Sequence, residues 1–348
     1  MEPITTLAHN KISDFIRPYI GQLFPGCIVG CANSHQKYTF AMGTQDGLVP
    51  MEESSLFDIA SVTKAFLNVL TLKVIPGDEL GQKIGDIIEM RGKDRDKLTV
   101  KHLITFGAEF GDAIKLSQIK DRGELIHLVH NSDLVVPPGS TYRYTNVTSM
   151  LLSFFLQKKF SVTFEELLLR ELLNPLRLTE THFSPKINLP GISVVPTEKS
   201  IPRGVIQDES ARLLNDPVGS AGLFSSVSDL LSFGQSFLGD NTYLPKEVIK
   251  KMHISQFENA AVSFGLGMGL RHQNECDLCN EDGSPIIVLK KNGFSGVHFC
   301  VLPENDFCFV VFGNLCYHAR PNGEGRDQFS LFHKKLLRLL YENRGELI

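Results

Sequence analysis

From Ala65 and Phe66 to Leu72 and Val74 the chain is apolar on nearly every face of a helix. A helix without a polar face is stable only when surrounded, so this segment belongs at the centre of a domain. Immediately before it stand Ser61, Val62, Thr63 and Lys64. Residues three apart share one helix face, which puts the Lys64 amine beside the Ser61 hydroxyl. A lysine in the first turn of a buried helix loses solvation, and that favours its neutral form. A serine next to a proton-accepting amine, at the positive end of a helix, is a nucleophile suited to a carbonyl.

The spacing alone is not specific. Ser34 to Lys37 and Ser117 to Lys120 repeat it, the first in a polar hairpin turn and the second in a charged stretch. Burial sets Ser61 apart, and partners must complete it.

Two other segments supply partners. Tyr144 and Asn146 directly precede the apolar run Val147 to Leu156, where alternate side chains reach one cleft. Tyr144 can relay the Ser61 proton if neighbouring ammonium groups lower its pKa. Asn146 can donate to a substrate carbonyl and also hold Lys64. Lys291, Asn292 and Gly293 end one strand-like run, and Phe294 to Gly296 lead into the next. Gly293 lets a ligand approach the backbone closely. Lys291 offers a positive charge to a substrate carboxylate or to Tyr144. The Phe294 and Ser61 N–H groups can form an oxyanion hole. Seen alone, Lys291 is equally an edge-strand lysine that blunts aggregation.

The elements around these segments read as α+β. A helix is expected over Ile12 to Phe24, then strands over Cys27 to Ala32 and Lys37 to Met42. The middle is helical: a short helix from Thr99, another over Asn146 to Phe160, and a third over Thr163 to Leu173 with Thr163 and Glu166 at capping-box spacing. Ser226 starts one more. Gly265 to Leu270, Ile286 to Lys291, Val297 to Leu302 and Phe307 to Phe312 are strand-like, and Phe329 to Tyr341 is an amphipathic helix. Strands at both ends with helices between imply one antiparallel sheet built from the two termini, with a mostly helical region inserted. One domain over residues 1–348 is expected, with a sheet subdomain of about 1–55 and 250–348 and a helical one of about 56–249.

Charge and composition exclude several classes. A formal net charge of −4 without a basic block argues against nucleic acid or an anionic membrane as partner. No apolar run is long enough to span a membrane. Met1 to Thr6 show no secretory signal, so a cytoplasmic protein, or a periplasmic one with its leader trimmed, is expected. Seven cysteines, an odd number, oppose a fully paired disulfide framework. Cys27, Cys31, Cys300 and Cys308 sit in strand-like runs and read as small hydrophobes. Cys276 and Cys279 have a metal-like spacing in a polar loop. A zinc there would need further ligands such as His272, and two free thiols are the expected reading.

Taken in order, Ser61-x-x-Lys64, Tyr144-x-Asn146 and Lys291-x-Gly293 resemble the serine β-lactamase and penicillin-binding-protein superfamily. Tyrosine in the middle motif resembles its class C β-lactamase-like branch, which also holds D-alanyl-D-alanine carboxypeptidases, D-aminopeptidases and esterases. Phe57 to Lys64 is similar to the family's nucleophile segment and Leu98 to Thr105 to its "ITVRHLLTH" segment. Ala221 to Ser226 is similar to "AGLFST", and Gly293 to Val297 to "GFTG". The resemblance implies a β-lactamase/transpeptidase-like fold, Ser61 as the acylated nucleophile, and Lys64 and Tyr144 exchanging its proton. It also implies Asn146, Lys291 and Gly293 at the substrate, an oxyanion hole from the Ser61 and Phe294 amides, and no metal or organic cofactor. Departures from the pattern bear on substrate preference: Asn292 replaces the usual threonine, and Gln207 stands where relatives often carry histidine. Asp208 and Glu209 read as loop caps.

The expected function is a serine hydrolase that forms an acyl-enzyme at Ser61 on a small amide or ester, whether peptide, β-lactam or simple ester. The alternative is a catalytically silent binding protein on this fold that recognises peptidoglycan-type or D-amino-acid ligands. An α/β-hydrolase would need Gly-x-Ser-x-Gly and a zinc hydrolase His-Glu-x-x-His; neither occurs. The partner is a small-molecule or peptide substrate, and the sequence specifies no oligomeric state.

Overall fold

The apolar segment after Lys64 is the centre of the molecule. In the computed structural model it forms a helix over Thr63–Val74, and every residue from Thr63 to Leu72 is buried. Residues 7–111, 116–183, 193–240, 242–257, 263–271, 278–280, 282–284 and 286–348 are described. Met1 to Thr6, His272 and Cys276 lie outside them.

The helices used below are α1 (Leu7–Ile16), α2 (Thr63–Val74), α3 (Val100–Ile104), α4 (Arg122–Asn131), α5 (Asn146–Phe160), α6 (Phe164–Leu168), α7 (Glu209–Leu214), α8 (Val227–Gln235), α9 (Lys246–Met252) and α10 (Gly323–Glu342). The strands are β1 (Gly26–Ala32), β2 (Lys37–Gly43), β3 (Phe57–Asp58), β4 (His182–Phe183), β5 (Leu223–Ser225), β6 (Gly269–Arg271), β7 (Val288–Gly293), β8 (Val297–Leu302) and β9 (Phe307–Gly313).

Six strands form one antiparallel sheet in the order β2-β1-β9-β8-β7-β6. The pairing of β1 with β9, Ile28 opposite Phe312 and Gly30 opposite Val310, joins the two ends of the chain as the sequence implies. Alternation along each strand sorts the side chains onto two faces. Ile28, Val310 and Phe312 pack into the large core around α2, α5 and α8. Val29, Phe309 and Val311 pack under α1 and α10 with Ile12, Ile16, Phe332, Leu336 and Leu340. Cys27, Cys31, Cys300 and Cys308 are fully buried within these layers and form no disulfide, packing as small hydrophobes.

Side-chain caps set the helix starts. Thr99 accepts from the His102 N–H, and the His102 ring accepts from the Thr99 N–H in return. Thr163 accepts from Glu166 N–H and Ser226 from Asp229 N–H. Within the core, the Phe66 ring stacks on Phe233 at 4.1 Å with planes 12° apart. Phe66→Ala would leave a void the surrounding layers cannot fill, at a cost of about 3–5 kcal/mol. The expected result is a lower urea midpoint with an unchanged slope.

Three elements differ from the sequence reading. The first helix ends at Ile16 and passes into a 3₁₀ turn, Arg17–Tyr19, rather than reaching Phe24. Pro18 lacks an N–H and disfavours helical backbone at the residue before it. The strand expected from Gly265 begins only at Gly269, because Gly267 adopts φ +85° in a turn closed by Gly265 N–H to Met268 O. A second sheet, β3-β5-β4, was not anticipated; two- and three-residue strands carry too little periodicity to be seen. It holds the residues just before Ser61.

Candidate active site

Ser61 lies in a 3₁₀ turn, Ala60–Val62, between β3 and α2. Ala60 has φ +46°, a left-handed conformation that is costly for a residue with a Cβ. Such strain concentrates at functional sites. Lys64, one turn into the helix, is fully buried. Its ammonium donates to the Ser61 hydroxyl at 3.1 Å, to Asn146 Oδ1 at 2.8 Å and to the Ser220 carbonyl at 2.6 Å. The expected pair is therefore formed, and three acceptors fix the amine beside the hydroxyl.

Tyr144 and Lys291 close the other side. Lys291 Nζ stands 4.3 Å from the Tyr144 ring centroid and 5.0 Å from that of Phe106. The Tyr144 ring is 4.9 Å from Phe106, and Lys64 Nζ is 5.2 Å from the Tyr144 centroid. Burial pushes the Tyr144 phenol up. The charges of Lys291 and Lys64, with hydrogen bonding to Ser61 and Lys64, outweigh it and leave the phenol lowered to about 8. Burial lowers Lys291 to about 8, with Lys64 acting in the same sense and Tyr144 opposing. A tyrosine and a lysine that both titrate near neutrality are the groups acid–base chemistry needs.

Asn146, the first residue of α5, divides its amide. Its oxygen accepts from Lys64 as expected. Its Nδ2 donates to Asp208 Oδ2 at 2.8 Å and to Ser210 Oγ at 3.1 Å. Both N–H groups expected to reach a substrate carbonyl are thus engaged, and Asn146 tethers Lys64 to the head of α7. Asp208 caps α7 through the Ala211 N–H, as anticipated, and in addition holds Asn146. Glu209 pairs with Arg320 at 2.6 Å.

The β7 strand ends at Gly293 against the Ser61 turn. A Cβ there would sit 2.5 Å from the Ile59 carbonyl, so only glycine lets the strand approach this closely. Ser61, Phe294, Gly293, Asn292, Lys291 and Tyr144 line one cleft of about 400 Å³. Tyr142 and Phe264 form one flank, and Arg326 and His333 of α10 form the other. Arg326 lies over the Phe294 ring at 4.8 Å. Asn292 is exposed at the cleft and its Oδ1 accepts from His298 Nδ1 at 2.6 Å.

Sequence reading missed the Ser220 carbonyl, Asp58, the Phe106 wall and the α10 flank. A main-chain acceptor leaves no mark in a side-chain pattern. Arg326 and His333 come from a helix more than 250 residues away from Ser61 in the chain. Asp58 did lie inside the quoted nucleophile segment, and only its burial reveals what it holds. Among the described residues no group of three or more His, Cys, Asp or Glu side chains is placed to hold a metal ion. No helix among them is long and apolar enough to cross a membrane.

A sequence profile of the family described as Beta-lactamase matches residues 12–328. The chain belongs to the beta-lactamase family. Two relatives from Escherichia coli K12 are similar over part of their length. One, a beta-lactamase, is 24% identical over 246 residues, 68% of this chain and 62% of the relative. The other, a putative D-alanyl-D-alanine carboxypeptidase, is 25% identical over 269 residues, 64% of this chain and 62% of the relative. The chain thus spans less than two thirds of the length of either. Solved structures extend the likeness of fold across nearly all of it. The octameric penicillin-binding protein homologue from Pyrococcus abyssi superposes with a TM-score of 0.76 at 17% identity, covering 94% of this chain and 77% of that one. A class C beta-lactamase gives 0.74 at 18% identity over 97% and 99% of the two chains. The hydrolase EstCE1, described as having promiscuous acyltransferase activity, gives 0.73 at 17% identity over 94% and 98%. The β-lactamase/transpeptidase-like fold expected from the three motifs is the fold of this family.

Proposed function

We propose that this protein is a serine hydrolase that forms an acyl-enzyme at Ser61 on a small amide or ester carrying a carboxylate. The observation that carries the reading is the Ser61 hydroxyl 3.1 Å from a fully buried Lys64. The Tyr144 phenol, titrating near 8, lies in the same cluster. Ser61 Oγ attacks the carbonyl while its proton passes to the Tyr144 phenolate, held by Lys64 and Lys291. The Ser61 and Phe294 N–H groups receive the negative charge of the tetrahedral intermediate. Collapse of that intermediate expels the amine or alcohol, which takes the proton back from Tyr144. Water, deprotonated by the same phenolate, then releases the acid and restores Ser61.

The carboxylate requirement follows from the charge of the cleft. Lys290, Lys291 and Arg326 line it, and no Asp or Glu does among the described residues. Peptides ending in D-alanine, β-lactams and acidic esters all meet this description, in keeping with the relatives' names. Asn292, an amide held by His298 where the family usually has threonine, makes the order of preference this chain's own. The test compares a D-amino-acid p-nitroanilide, a chromogenic β-lactam and p-nitrophenyl esters with and without a free carboxylate. The expected result is turnover with a higher kcat/KM for the carboxylate-bearing member of the ester pair. Binding of these compounds without any turnover would favour a silent binding protein instead.

A further inference from the structure

Asp58 touches no part of the cleft, is 2% exposed, and has no role in the chemistry above. Its contacts reach each catalytic segment. Oδ1 accepts from the Ala60 N–H at 2.7 Å, at the left-handed residue that turns the chain into Ser61. Oδ2 accepts from the Gln207 N–H at 2.8 Å, beside the Asp208 that holds Asn146 and, through it, Lys64. Its main-chain carbonyl accepts from Ser295 Oγ at 2.7 Å, next to the Phe294 amide. Nucleophile, base tether and oxyanion donor thus meet at one buried residue.

We propose that Asp58 is a positioning residue whose ionised carboxylate holds the Ser61 turn and the Asn146-bearing loop in register. Each carboxylate oxygen accepts one backbone N–H, so both must be acceptors. Protonation turns one oxygen into a donor and breaks one of the two ties. Activity then depends on Asp58 remaining charged where charge is costly.

That cost is visible. Burial raises Asp58 to about 6, against the lowering effect of the Gln207 and Ala60 N–H groups. The charged groups acting on it sit at the head of α7: Asp208 raises it and Arg212 lowers it. A folded-state value above the ordinary 3.8 means that the group favours the fold at low pH and loses that contribution as pH rises through about 6. Activity and this part of stability therefore move in opposite directions with pH. A merely structural ion pair or cap would move both together.

The inference rests on the serine-hydrolase reading, and the experiment separates the two. Fluorophosphonate labelling of Ser61 and ester turnover are followed against pH in the wild type, Asp58→Asn and Ser295→Ala. Asparagine mimics the protonated acid, with one acceptor and one donor. Asp58→Asn is expected to lower kcat by about 10²-fold at neutral pH with KM little changed, the scale of a misplaced reacting group. Its unfolding midpoint does not fall in proportion, and the acid limb near pH 6, a further steepening below the Tyr144 limb near 8, disappears. Ser295→Ala keeps the carboxylate and is expected to lose kcat while retaining that limb, a readout available even if Asp58→Asn does not fold. Labelling and kcat equal to wild type in Asp58→Asn, or a wild-type acid limb absent near pH 6, overturns the role of Asp58 alone. A wild type that is neither labelled nor active overturns the hydrolase reading with it.

Discussion

Ser61→Ala loses turnover by about 10⁴-fold or more, the scale of removing a nucleophile whose neighbours act only through it. The substitution is small. Ser61 sits in a short turn and its hydroxyl accepts from Lys64, which keeps the Asn146 and Ser220 acceptors. The ammonium therefore stays paired in the variant, and the fold loses little. Steady-state kinetics on the best ester, beside a thermal melt, reads both quantities. A variant that keeps its melting temperature and loses its activity separates chemistry from stability.

The second large effect belongs to Tyr144. Tyr144→Phe removes the group proposed to take and return the Ser61 proton, and a loss of about 10²- to 10⁴-fold in kcat is expected, the usual contribution of general acid–base catalysis. The phenol also has a direct signature. The chain contains no tryptophan, so tyrosinate absorption is seen without interference. Burial pushes Tyr38, Tyr142 and Tyr243 upward, whereas Tyr144 lies near 8. Ultraviolet titration of the wild type is expected to show a phenol ionising near pH 8 that is missing in Tyr144→Phe. In Lys291→Met the same step moves to higher pH, because Lys291 is the leading charge that lowers it. Activity that requires the phenolate rises with pH through that value, and in Lys291→Met the rise moves with the phenol.

Much of this arrangement was legible in the sequence because its parts are local. The Ser61 and Lys64 spacing fixes a helix face, and the unbroken apolar run fixes its burial. Tyr144 precedes and Asn146 opens a helix whose bounds, Asn146–Phe160, are those expected from the sequence. The β8–β9 hairpin was equally plain, since alternation over six and seven residues leaves one register. What stayed hidden depends on distant contacts. Asn146 was expected to face substrate, and only the folded chain shows Asp208 and Ser210 claiming its amide. Arg326 and His333 reach the cleft because the helix that follows β9 packs back across the sheet beside β7. The small β3-β5-β4 sheet, too short for any period, is what places Asp58 just behind Ser61.

The measurement that bears most directly on the central claim is intact-protein and peptide mass spectrometry after incubation with a fluorophosphonate and, separately, a penicillin. The account predicts one adduct per chain with the fluorophosphonate, mapped to the peptide that contains Ser61 and absent from Ser61→Ala. A carboxylate-bearing β-lactam that serves as substrate leaves its acyl mass on the same peptide. Labelling at any other residue, with Ser61 unmodified and the protein active, would contradict it.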